Sequence, residues 1–219
     1  MARRKLIDLK SAISKEVSEI LANRIPKITE DIKRALEKNV DIGFSESSEV
    51  ASMKSGRLRA ELGLQDAESK LDRIKEAIKR DIQIEVKLGR RFFIGPRAFI
   101  VRAFNTNFTS ITSIPEAYQE YTSVRGNILG PPLTWLDWML FRGAKRIVVG
   151  SRFSQRLTGR SGLKGIMIDG GSWRVPTNFA GTIKNNFITR LLESRSREIN
   201  NGITTIIDRN LVTSGRRAI

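Results

Sequence analysis

RGAKRIVVGSRFSQRLTGRSGLKGIMIDGGSWRVP occupies residues 142–176. It carries eight basic side chains, Arg142, Lys145, Arg146, Arg152, Arg156, Arg160, Lys164 and Arg174, against a single acid, Asp169. Two short apolar runs, IVV and IMI, bracket a loop rich in Arg, Ser and Gly. RIVVG and GIMI read as strands, and Asp169-Gly170 as a turn into SWRVP, which predicts a hairpin. The stretch has too little apolar mass to build a core of its own, so it is expected to touch something else.

Charge is unevenly spread around it. Residues 1–80 hold 18 basic and 14 acidic side chains, whereas residues 81–219 hold 21 and 9. The first part resembles an ordinary solvated helical surface. The second is strongly cationic, within a net charge of +16. Such an excess favours nucleic acid, an anionic membrane or an acidic protein surface. The 219 residues include neither cysteine nor histidine. Disulfides, thiolate nucleophiles and Cys-based zinc sites are therefore excluded, and the commonest general base and transition-metal ligand is missing. No apolar run suggests a signal peptide or membrane span.

Upstream, residues 4–39 read as helix. Leu6, Leu9, Ile13, Val17, Ile20, Leu21, Ile28, Ile32 and Leu36 stripe one face, and Pro26 either kinks the helix or starts a second one. GFSESSEVASMKSGR, residues 43–57, reads as loop. SGRLRAELGL is a short amphipathic element ending at Gly63. Asp66 is placed as N-cap of a helix through Arg80, with Ala67, Leu71, Ile74 and Ile78 inward. From Asp81 the period changes to two: IQIEVKL and AFIVRAF frame GRRFFIGP as a hairpin, and NFTSITSI is a further candidate strand. PPLTWLDWMLF suits a short helix. After Pro176 the pattern is helical again, striped by Phe179, Ile183, Phe187, Leu191 and Leu192, with a possible break at Asn201-Gly202 and a frayed tail TSGRRAI. The prediction is an α+β chain: a helical region 1–80, an antiparallel core 81–176 with one inserted helix, and a C-terminal helix and tail 177–219, integrated as one domain. The terminal helices could cover one face of that sheet.

Catalytic chemistry finds little support. GRSGLKG, residues 159–165, has phosphate-loop residue types in the wrong order and runs into a strand. The acids Asp81, Glu85, Glu116, Glu120, Asp137 and Asp169 show no spacing that would converge on metals, and Asp81 with Glu85 fits a solvent-facing strand edge. Three readings of the basic stretch stay open: a solvated loop, a nucleic-acid path, and a docking loop for a neighbouring subunit. Only Phe153 and Trp173 supply aromatics within it, which argues against single-strand stacking; duplex backbone neutralisation needs no rings. Trp135, Trp138 and Phe141 suit core packing, or an anchor for a partner subunit.

KSGRLRAELGL resembles the small-residue-Gly-Arg-Leu-Arg signature that follows a long N-terminal helix in tail-completion and head–tail joining proteins of tailed bacteriophages. LTWLDWMLFRGAKRIVVG, then RLTGRSG and GGSWRVPTNFAGTIKNNFITR, resembles the second half of neck proteins of contractile-tailed phages. Gly56, Arg57, Leu58 and Arg59, Trp135 to Trp138, and Gly170 to Gly181 carry the match. The resemblance implies a non-enzymatic virion protein without cofactor or metal. It would be a tail-completion or tail-terminator subunit, assembled in the host cytoplasm into a homo-oligomeric ring, a hexamer by expectation, with DNA passing through its lumen and other neck, connector or tail proteins as neighbours. On this reading Arg142, Lys145, Arg146, Arg152, Arg156, Arg160 and Lys164 contact DNA or an adjacent subunit, and Trp135, Trp138 and Trp173 lie at a subunit interface. A stand-alone basic nucleic-acid-binding protein is the alternative.

Overall fold

A computed structural model describes residues 2–88, 99–103, 108–119, 132–143, 145–158 and 164–212. The chain is α+β, and it forms two compact units from interleaved segments. One comprises residues 1–37, 82–105 and 197–219; the other comprises 38–81 and 106–196.

The helix α1 runs from Ala2 to Glu46 without interruption, through Pro26 and through the first four residues of the expected loop at 43–57. Proline removes one amide donor but does not forbid a long helix whose flanking turns are otherwise satisfied. Ile28, Ile32 and Leu36 are buried as the stripe requires, and Val40 and Phe44 extend it at the same spacing. The stripe positions from Leu6 to Leu21 lie outside the residues whose side chains are described. The rest of the expected loop is a second helix, α2 (Ser48–Ser55). Ser47 caps it, accepting from the Val50 amide at 3.3 Å, so the serines that suggested a loop mark a helix start.

The first unit also contains the hairpin expected from 82–104: β1 (Ile84–Leu88) pairs antiparallel with β2 (Phe99–Ala103), Val86 opposite Val101. Its connection lies outside the described residues. The last helix of this unit, α8 (Ser196–Val212), returns Arg209 and Asn210 to Asp31 of α1, and Arg24 donates to the Asn210 carbonyl.

The second unit holds α2, α3 (Arg57–Glu61), α4 (Ala67–Arg80), α5 (Thr109–Thr112), a 3₁₀ turn at Pro115–Ala117, α6 (Trp135–Phe141), the strands β3 (Val148–Thr158) and β4 (Lys164–Trp173), and α7 (Phe187–Ser194). Asp66 does precede α4, and Ala67, Leu71, Ile74 and Ile78 are buried, but Asp66 sits at φ 49° and its side chain makes no cap.

Three expectations are corrected. NFTSITSI is not a strand; it forms α5 and the approach to the 3₁₀ turn, with Thr112 and Ser113 returning their hydroxyls to helix carbonyls. The helix after Pro176 starts ten residues late, at Phe187, and the break falls at Arg195 instead of Asn201-Gly202. Asn186 decides the start: its Oδ1 accepts from the Ile188 and Thr189 amides, both at 3.1 Å, while Thr189 Oγ1 accepts from the Asn186 amide at 2.8 Å. Ile183, expected inward on the helical stripe, is exposed. Finally, the described strands pair as two two-stranded sheets, β1 with β2 and β3 with β4, not as one sheet. The tail 213–219 lies outside the described residues.

Candidate interaction surface

The strands β3 and β4 form a long antiparallel ribbon whose register runs from Val148 opposite Trp173 to Thr158 opposite Lys164. The SRFSQRLT segment, expected as loop, is therefore strand, and Asp169-Gly170 is not a turn. IMI and SW belong to the same strand, and the connection between β3 and β4 lies outside the described residues. Between the Val149–Ser172 and Ser151–Asp169 pairs, Gly170 and Gly171 together face the single Gly150. Both β4 glycines have positive φ, 85° and 94°. Sequence reasoning took the left-handed glycine for a turn; the chain uses it for a bulge that bends the ribbon.

Residues opposite each other share a face. Arg152 stands opposite Ile168, and Ser154 opposite Ile166, so one face combines cation with half-exposed isoleucine. Gly171 lies against the aliphatic stem of Arg152. On the other face the Phe153 ring covers Gly165, filling the space a side chain would take. Gly165→Ala is expected to displace that ring and loosen the distal ribbon. Hydrogen exchange in β3 and β4 checks this: faster exchange there with an unchanged melting temperature is the expected pattern, and unchanged exchange would refute it.

Of the seven predicted contact residues, Arg142 is paired with Asp137 (Nε–Oδ2 2.9 Å). Lys145, Arg146, Arg152 and Arg156, together with Arg174, are exposed and have no acidic partner among the described residues. Arg160 lies outside the described residues; Lys164 opens β4, but its side chain is not described. The three predicted interface tryptophans are placed inside the protomer: Trp135 is fully buried, and Trp138 and Trp173 are nearly so, their rings 5.9 Å apart at 51°.

That Trp pair is the root of the ribbon. Trp173, the last residue of β4, meets α3 at Glu61, a carboxylate whose side chain is only 1% exposed. Arg57 Nε donates to Glu61 Oε1 at 2.5 Å. The Trp173 indole N–H is directed at the same carboxyl but falls short of full hydrogen-bond geometry, so Nε1 and Oε2 are both buried without a full partner. Burial pushes the Glu61 carboxyl up, and Arg57 and Trp173 offset this only in part. A carboxyl that holds its proton more tightly folded than unfolded stabilises fully at acid pH. That contribution fades as pH rises from the ordinary glutamate range through the raised value. Glu61→Gln is expected to remove the slope and to leave stability at neutral pH unchanged or higher by about 1 kcal/mol, because the half-exposed Arg57 is not stranded without it. Urea titrations of both chains across pH 4 to 8, a window that opens near the ordinary glutamate value of 4.5, test this. A loss at neutral pH would refute it.

Glu49 works in the opposite sense. Burial raises its pKa, but the backbone N–H at its own position, Arg190 and Ser47 outweigh burial, so the carboxyl lies below its ordinary value. Arg190 Nε donates to Oε1 at 2.9 Å, and Ser47 and Ser48 donate to Oε2 at 3.0 and 3.1 Å. The same guanidinium reaches Asn185 Oδ1 at 2.8 Å and the Phe179 carbonyl at 3.4 Å, tying the 177–186 segment to α2. Here stability is present above the ordinary value and is lost as pH falls through the depressed one. Glu49→Gln is expected to cost about 1–3 kcal/mol at neutral pH and almost nothing in strong acid, measured by the same titration; an equal cost at both pH values would contradict it.

Among the other acids considered, Asp81 accepts from the Ser110 hydroxyl and Glu85 stands opposite Arg102 in the β1–β2 register. No group of three carboxylates among the described residues is arranged to hold a metal ion. No family model, curated protein or solved structure matches the chain.

Proposed function

We propose that the protein is a structural, non-enzymatic subunit of the neck of a contractile-tailed bacteriophage. It would be a tail-completion or tail-terminator protein forming a homo-oligomeric ring at the head–tail junction, through which DNA passes. The observation that carries this reading is the β3–β4 ribbon: Arg152 and Arg156 on it, and Lys145, Arg146 and Arg174 beside it, are exposed with no acidic partner among the described residues, above a buried base of Trp138, Trp173 and Glu61. Such an arm contributes little to the protomer's own core and presents surface to a neighbour.

The segments that resemble neck proteins have structural roles within this chain. At Gly56 a side chain would collide with Ser52, so the α2–α3 corner needs glycine. Leu58 is fully buried, Arg57 holds Glu61, and Arg59 donates to the Lys54 and Leu64 carbonyls. The test is imaging of phage particles that contain the chain. A ring at the tail's upper end is expected; a chain absent from virions would overturn the proposal.

The five exposed cations, which have no acidic partner among the described residues, also favour a second reading, a stand-alone duplex-DNA-binding protein. Titration against salt separates the two. Six phosphate contacts give a log–log slope of about −5, so tight binding by the monomer with that slope selects the second reading, and weak binding selects the ring.

A further inference from the structure

From the ribbon's cationic face and an acidic ridge on α4, we infer that the ribbon of one protomer docks on α4 of the next copy, a head-to-tail contact that builds the ring. The inference rests on the ring reading above. Glu68, Asp72 and Glu76 follow at four-residue steps along α4, so they line one exposed ridge. Among the described residues each is ion-paired with a lysine, Lys54, Lys75 and Lys79 respectively, all at 3.1 Å, and Lys79 also holds Asp41 at 2.6 Å. The three carboxylates are exposed even where their lysines are partly covered, and ion pairs at a solvated carboxylate contribute little.

Glu68 and Glu76 are eight helical residues apart, about 12 Å at 1.5 Å per residue. Arg152 lies in the regular part of β3 opposite Ile168, and Arg156 lies in the stretch between Ser154 and Thr158 where the register shifts. The two surfaces are complementary in charge, and arginines presented this way can meet the carboxylates of the ridge in bidentate pairs. The half-exposed Ile166 and Ile168 choose protein over nucleic acid. A phosphate backbone would satisfy the arginines and leave the isoleucines against charge, whereas a helix ridge offers the hydrocarbon stems of its glutamates and lysines. Because the two surfaces differ, the contact is heterologous and propagates until the rotation closes.

The experiment uses the full chain and two charge-reversed sets, R152E/R156E and E68K/D72K/E76K, with sedimentation velocity over a concentration series. Each set alone is expected to weaken self-association at least about tenfold, and the two together to restore it to within about threefold of wild type. Circular dichroism melts confirm that each set folds, and the restored combination guards against misfolding as the cause. A wild-type oligomer that neither set affects overturns the inference and leaves the ring reading standing. Variants that keep the oligomer but lose duplex DNA overturn it too, by assigning the arginines to phosphate. A wild-type chain that stays monomeric in solution overturns it as well, and particle imaging then decides the ring reading separately.

Discussion

Trp135→Ala is expected to cost about 3–5 kcal/mol, the range for removing a fully buried aromatic side chain from a core. Trp135 has no exposed surface and is the largest fully buried side chain among the described residues. Two losses combine. The ring's volume vacates the centre of the second unit, where Leu136, Met139 and Leu140 of the same helix are also buried. The indole Nε1, which donates to the Glu116 carbonyl at 2.9 Å, also disappears and leaves that acceptor without this donor. Against a typical total of about 5–15 kcal/mol, the variant would populate unfolded chain at growth temperature. Trp135→Phe separates the two losses, since it keeps most of the volume and gives up the donor; about 1–3 kcal/mol is expected. Urea midpoints measure both. A Trp135→Ala cost below about 1 kcal/mol would mean that the ring is not a core element.

The second large effect is at Gly181. A side chain there would fall well inside van der Waals contact with the Met139 carbonyl oxygen of α6 and would press on the Cβ of Asn186. Neither neighbour can yield easily. Met139 lies within a helix, and Asn186 holds the start of α7 through its cap and donates to the Thr182 carbonyl at 3.0 Å. The approach is fixed by a hydrogen bond, since the Gly181 carbonyl accepts from the Gly143 amide at 2.7 Å. Gly181→Ala is thus expected to cost about 3 kcal/mol or more, at the upper end for overpacking, because the strain falls on backbone. Ala180→Gly, one residue earlier, serves as the control and should cost less than about 1 kcal/mol. Equal costs at the two positions would show that the segment is tolerant and the contact unimportant.

Much of the fold was legible where hydrophobic period and burial agree. The α4 stripe, the β1–β2 hairpin and the short tryptophan helix all follow from spacing alone, because each buries one face. The errors arise where one residue type serves two purposes. Serines at 45–48 read as loop, yet Ser47 is a helix cap. Gly170 reads as a turn, yet its left-handed backbone makes a bulge. NFTSITSI has the composition of a strand, and the β-branched residues only find out by tertiary contact that they belong to a helical turn. The cationic surface was legible from charge, but its construction as a ribbon was not, since Arg, Ser and Gly carry no strand signal. The acidic ridge on α4 has a simple sequence signature, acids at 68, 72 and 76, that only a search at helical spacing finds.

The interleaving of the two units also sets a timetable for synthesis. The second unit draws on residues 38–81 and 106–196, so its core cannot close until α7, with the buried Phe187 and Leu191, has been made. The first unit waits longer, because Asp31 near the start meets Arg209 and Asn210. On a ribosome adding roughly 5–20 residues per second, several seconds separate the emergence of α1 from that of its partners. Throughout that interval the part of α1 that belongs to the first unit, with Ile28, Ile32 and Leu36 of its stripe, still waits for α8. The nascent protein is therefore expected to depend on chaperones that shield exposed helices, and to mature only after nearly all of the chain is available.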